Sequence, residues 1–212
     1  MIEAVFFDVG GTLIHTDPRT WLPPVLARFG AEADWRRLEE AARSAYAYYE
    51  RHHMEATDRE RALRLWHEFD RRLLAGLGVA EPERIADWLV GHWRDPGLWP
   101  RTPGTPEVLE ALRDRGLRLA AVSNWDALLP EILEAMGLAG YFEAVLASAR
   151  EGVAKPDPAI YRRALDRLGL PPERVLFVGD RPETDLEAPS RLGMRALLVR
   201  PEVGIRPVLA AL

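Results

Sequence analysis

The chain has 212 residues, 48% of them hydrophobic, enough to fill the core of one large domain or of a core domain with an insertion. Its net charge of −5, with acids and arginines interspersed, offers no basic stripe for nucleic acid, and no apolar run approaches the roughly 18 residues that a membrane span requires. The absence of Cys removes disulfides, thiolate metal sites and cysteine nucleophiles together. Met1 leads into a strand pattern without a charged leader, so a cytoplasmic location is expected. With no Gln and a single Asn, the composition points to a thermophilic or GC-rich source.

The first element is EAVFFDV at 3–9, a short β-rich apolar run ending in Gly-Gly, as expected of a buried central parallel strand. From about Thr16 to Trp99 the periodicity turns helical, with predicted helices from Trp35 to Arg51, Thr57 to Leu77 and Glu83 to Trp93. The proline-rich segments around Asp17 to Pro24 and Pro100 to Pro106 read as hinges. A βα alternation resumes at Thr105, read as an N-cap with Pro106 at the first helical position, followed by the strand GLRLAAVSN. Helices are predicted from about Asp126 to Met136 and from Asp157-Pro158 to Gly169, with further strands at RVLFVGD and MRALLVR. The order predicts an α/β fold with a Rossmann-like parallel sheet between two helical layers, formed by 1–15 and 100–212 and interrupted by an all-helical insertion at 16–99.

The chain uses arginine everywhere except at Lys155, its only lysine, and Asn124 is its only asparagine. A composition that avoids both residue types has kept each at one place, which points to a site needing a compact ammonium and a short amide. Asn124 follows a predicted strand, Lys155 precedes a predicted helix, and Asp8, Asp180 and Asp185 follow two other strands. In an open parallel sheet such loops converge on one crevice. One ammonium, a hydroxyl-amide pair and several acids make the inventory of a metal-assisted phosphate site.

These segments, FFDVGGTL, VSN, AKPDP and VGDRPETD, resemble the four motifs of the haloacid dehalogenase superfamily, and the helical insertion is placed as in its subfamily I members with a C1-type cap. The resemblance covers nearly the whole chain. It implies that Asp8 is a nucleophile forming a covalent aspartyl intermediate. It further implies that Asp8, the Gly10 carbonyl, Asp180 and Asp185 hold Mg²⁺, and that Ser123, the backbone of Asn124 and Lys155 bind phosphoryl oxygens, with Thr12 and the Gly11 amide on the same turn. Lys155 would also keep Asp8 ionised. Plainer roles stand beside these: Ser123-Asn124-Trp125-Asp126 also reads as a helix N-cap, Asp157 reads as a cap, and Asp185 could cap the helix ending near Leu192.

The departure from the family pattern is Gly10, where most of the family's phosphatases carry an acid/base aspartate. General acid-base help is worth about 10² to 10⁴ in rate. A slow or leaving-group-selective phosphatase of a small phosphorylated metabolite is expected, with His15, His52 or His53 as substitute acids. Metal-independent 2-haloacid dehalogenases also lack that aspartate, and a silent scaffold binding a metabolite or partner is a third reading. The Schiff-base branch, which needs a cap lysine, is excluded because none remains. In the insertion, Tyr46, Tyr48, Tyr49, His52, His53 and Trp66 could pack or accept a flat leaving group, and Arg43 or Arg51 could grip an anionic tail. Monomer and homodimer are both left open.

Overall fold

A computed structural model describes all 212 residues. Five parallel strands form one sheet in the order β3-β2-β1-β4-β5, with β1 Ala4–Phe7, β2 Arg118–Ser123, β3 Ala144–Ala147, β4 Val175–Gly179 and β5 Arg195–Leu198. The central strand is buried on both faces. Alternation sends Val5 and Phe7 into one apolar cluster and Ala4 and Phe6 into another, the two sides of the sheet. Phe7 pairs with Ala121 on one side and Val178 on the other, so Asp8, Ser123 and Asp180 emerge within one residue of the same level at one edge.

Helices α1 Pro18–Phe29, α2 Leu38–His52, α3 Arg59–Gly76 and α4 Pro82–Gly91 fill the stretch between β1 and β2. They are followed by α5 Thr105–Asp114, α6 Leu129–Ala135, α7 Ser148–Glu151, α8 Pro158–Leu168 and α9 Ala188–Arg191. The inserted helices do not make a separate core. Leu38, Ala45, Phe69 and Leu73 belong to the same buried cluster as Val5 and Phe7. The two crossing segments run side by side, with His15 N–H donating to the Pro100 carbonyl at 2.7 Å and Thr102 N–H to that of Leu13 at 3.0 Å.

The structure corrects the sequence reading in four places. The segment from Asp17 to Pro24 is helical, not a hinge: Asp17 caps α1 by accepting from Arg19 N–H at 2.9 Å, and Pro18 takes the first position. Pro23 and Pro24 remove two donors inside α1, and burial of Leu22, Val25 and Leu26 holds the helix against that loss. Thr105 is inside α5, where its hydroxyl donates to the Thr102 carbonyl at 2.9 Å, and Gly104 is the cap. Helix α6 begins at Leu129, so Ser123 and Asn124 cap nothing, although Asp126 accepts from Leu128 N–H at 2.8 Å. Edge strand β3, only AVLA, was missed because four apolar residues carry no readable period.

Candidate active site

Asp8 leaves the end of β1 with its carboxylate at the centre of a buried cluster. Lys155 Nζ lies 2.7 Å from Asp8 Oδ1 and 2.6 Å from Asp185 Oδ1, and Ser123 Oγ donates to Asp8 Oδ1 at 2.8 Å. All of these contacts fall on Oδ1, so Oδ2 is the uncommitted oxygen of Asp8. Lys155 is 4% exposed, and its ammonium also stands over the Phe177 ring at 5.3 Å. Burial works against the charged amine, yet Asp8 and Asp185 outweigh it and raise the Lys155 pKa. Burial is also the largest influence on Asp8, raising its pKa with help from Asp185 against the opposing pull of Lys155 and Ser123.

The side-chain amide of Asn124 donates to the Lys155 carbonyl at 2.8 Å and accepts from Lys155 N–H at 2.7 Å, so it positions the lysine's backbone, a role beside the one expected of the Asn124 backbone. The turn after Asp8 divides. Gly10 lines the cavity, and no hydrogen bond is made to its carbonyl. Gly11 N–H is spent on the Ile14 carbonyl at 2.8 Å, and neither Gly11 nor Thr12 reaches the cavity wall. Gly11 serves another purpose: its φ of +78° and the Asp180 carboxylate, 2.3 Å from where a Cβ would stand, leave room for glycine alone.

Oxygens of Asp8, Asp180 and Asp185 lie within 4.8 Å of one another. Burial, then Asp8 and Asp185, push the Asp180 pKa up to about 7, and Asp180 Oδ1 is buried with no hydrogen-bond partner. Hard oxygens crowded together with an orphaned lone pair fit a Mg²⁺ ion. Asp185 is more committed than expected, since Lys155 holds Oδ1 and Arg181 N–H donates to Oδ2 at 3.0 Å. It caps no helix; it lies within a wide helical turn, Pro182–Glu187.

Above these groups opens a cavity of about 640 Å³, walled by the core loops and by α2, α3 and α4. Of the three candidate histidines, His15 and His53 line it and His52 does not. His53 donates from Nδ1 to the Glu50 carbonyl at 3.0 Å, and burial lowers its pKa, so its buried Nε2 presents a lone pair rather than a proton. Arg43 and Arg51 are exposed and off the wall, and Tyr48, half-buried, is off it too.

Two further acids matter: Asp126, read from the sequence only as part of a helix start, and Asp70, which the sequence reading did not single out. Asp126, fully buried, accepts from Tyr49 Oη and Trp66 Nε1 at 2.9 Å each, tying the insertion to the β2 loop, and burial raises its pKa to about 6. Asp70 sits on the cavity wall 7% exposed and makes no hydrogen bond. An acid at the fourth position after Trp66, on the apolar face of α3, was the available signal for it.

Comparison with known proteins agrees with the fold and with the family resemblance. The human "haloacid dehalogenase-like hydrolase domain-containing protein 3" is 37% identical over 136 residues, 64% of this chain and 54% of that protein. "Phosphoserine phosphatase" of Thermus thermophilus is 37% identical over 127 residues, 59% of this chain and 50% of that protein. The chain thus spans about half the length of the relatives it matches. A solved defluorinating L-2-haloacid dehalogenase superposes with a TM-score of 0.71 at 23% identity, covering 97% of this chain and 84% of its own, and so shares the fold. The model of the haloacid dehalogenase-like hydrolases matches residues 2–193, and the chain belongs to that family.

Proposed function

We propose that the protein is a Mg²⁺-dependent phosphatase that transfers the phosphoryl group of a small phosphorylated metabolite to Asp8 and then to water. The observation that carries this reading is Asp180, whose unpartnered Oδ1 and raised pKa sit beside Asp8 with no cationic side chain within salt-bridge distance. Crowded carboxylates of this kind blunt a nucleophile unless a cation offsets them. The fold's likeness to dehalogenases bears on architecture alone, and the phosphatase relative supports phosphoryl transfer.

Asp8, Asp180 and the Gly10 carbonyl would hold the ion, with Asp185 behind them. Bound there, Mg²⁺ would neutralise the acids and polarise a phosphoryl oxygen. Lys155 and Ser123 hold Asp8 Oδ1, which leaves Oδ2 as the oxygen free to attack. Oδ2 would attack phosphorus as the ester P–O bond breaks, the leaving oxygen keeping the electron pair. Water would then cleave the aspartyl phosphate, releasing inorganic phosphate and restoring the Asp8 carboxylate. Gly10 has no proton to give the leaving oxygen, so acidic alcohols should depart faster.

The test is release of phosphate from p-nitrophenyl phosphate with and without Mg²⁺, alongside phosphoenzyme trapping from labelled acetyl phosphate. Wild type should need the metal and carry label, and Asp8→Asn should do neither. Metal-independent chloride release from a 2-chloroacid, with no phosphatase activity, would replace this reading by dehalogenation; label on neither protein would favour a silent scaffold.

A further inference from the structure

Asp70, on α3, is 7% exposed and lies on the cavity wall, where its carboxyl forms no hydrogen bond and no ion pair with the protein. Burial alone pushes its pKa well above the usual carboxylate range. A buried polar group without a partner is costly, and a buried charge without one more so. Its neighbours cannot supply the partner. Tyr46 Oη is spent on the Thr16 carbonyl at 2.8 Å and Trp66 Nε1 on Asp126 at 2.9 Å. Its oxygens therefore face whatever fills the cavity, water in the free protein and a ligand group when one is bound.

The surroundings narrow its chemistry. Trp66 meets Phe69 at 5.3 Å and Trp99 at 5.4 Å, and Tyr46 meets Phe69 at 5.1 Å, all between ring centroids. These rings wall the same cavity as Asp70. The cations there are committed: Lys155 pairs with Asp8 and Asp185, and Arg181 with Glu50 at 2.8 Å. No free guanidinium or ammonium waits for a carboxylate, so an anionic tail would meet Asp70 without a counterion. Aromatic faces with one carboxyl among them suit a cation, which gains from the ring quadrupoles and from the acid together.

Resting on the phosphatase reading above, we propose that Asp70 and the rings beside it form a subsite for an ammonium group on the leaving alcohol. The substrate class is then a phosphomonoester of an amino alcohol. A carboxylate-bearing ester such as phosphoserine should be a poorer substrate, because nothing on the wall answers its second charge.

Choline and its uncharged isostere 3,3-dimethylbutan-1-ol separate charge from shape. Titrated against tryptophan fluorescence, choline should bind about tenfold or more tightly than the isostere, and Asp70→Asn should bring the two together. Equal binding to wild type would overturn the proposal, and would do so even if the variant failed to fold. In turnover, the kcat/KM ratio of choline phosphate to 3,3-dimethylbutyl phosphate should exceed about ten in wild type and fall toward one in Asp70→Asn. Hydrolysis of p-nitrophenyl phosphate with indifference to charge would sink the subsite alone. Selective choline binding with no hydrolysis of any ester would sink the phosphatase reading and leave the subsite standing.

Discussion

The only asparagine of the chain grips the backbone of its only lysine: Asn124 and Lys155 exchange two hydrogen bonds, at 2.8 and 2.7 Å, across the loops that follow β2 and α7. A longer amide would push the loops apart and a carboxylate could not donate, so asparagine is the residue that satisfies both groups. The ammonium at the far end of Lys155 thereby reaches Asp8 and Asp185 at once. Asn124→Ala should cost about 1–3 kcal/mol of stability through the two orphaned backbone groups. It should also lower kcat by about 10- to 100-fold as Lys155 loses its register. Steady-state kinetics at a temperature well below the variant's Tm separate the two effects. An unchanged kcat would show that Lys155 needs no such support.

Lys155→Met leaves two buried carboxylates facing each other, and breaking a buried pair costs about 3–5 kcal/mol. Activity should vanish with it. Adding Asp185→Asn to Lys155→Met should recover much of the stability and none of the activity, because it removes the stranded charge without restoring the one beside Asp8. Urea unfolding of the single and double variants gives the coupling directly. Simple additivity would mean that the carboxylates never shared the ammonium.

Metal-free protein should lose stability as pH rises from about 4 to 7. Asp180 is held at about 7 by burial and by Asp8 and Asp185. Its unfolded value is near 3.9, so the folded state binds more protons throughout that window. Stability from this group is fully present below about 4 and is lost by about 7, at up to about 1.4 kcal/mol per pH unit. Mg²⁺ competes with those protons, so its stabilising effect should be larger at pH 8 than at pH 5. Asp180→Asn should flatten the slope and abolish the Mg²⁺ response. Thermal melts across pH, with EDTA or Mg²⁺, read both.

The sheet and the identity of the central cluster were legible because they rest on local signals. An apolar strand buried on both faces announces itself in β1, and residue singularity announced Lys155 and Asn124. What could not be read was how each group is used. The Gly11 amide looked available because its competitor, the Ile14 carbonyl, approaches through a turn that no periodicity encodes. Asp70 was hidden because α3 has an apolar face either way, and only packing against α2 and α4 shows that this acid faces a cavity rather than water. In α1 the prolines that read as a hinge were outweighed by burial of Leu22 and its neighbours, an effect outside local propensity.

Gly10 yields the last prediction, on the leaving group. With no acid at that position, departure of the alcohol governs the rate, and aryl phosphates should exceed alkyl phosphates by about 10² to 10⁴ in kcat/KM. Restoring an acid is not a matter of substitution alone. A Cβ on Gly10 would stand 3.1 Å from the six-membered ring of Trp125 and 3.4 Å from Thr16 Cγ2, so Gly10→Asp requires a buried indole to give by a few tenths of an ångström. The overpacking should cost about 1–3 kcal/mol and leave the aryl preference largely intact. Gly10→Asp combined with Trp125→Ala makes room, and the double variant should narrow the gap between aryl and alkyl esters where neither single change does. A plot of log kcat/KM against leaving-group pKa for the four proteins decides it: parallel lines would mean that the proton reaches the leaving oxygen from elsewhere, whereas a flatter line for the double variant alone would locate the missing chemistry at residue 10.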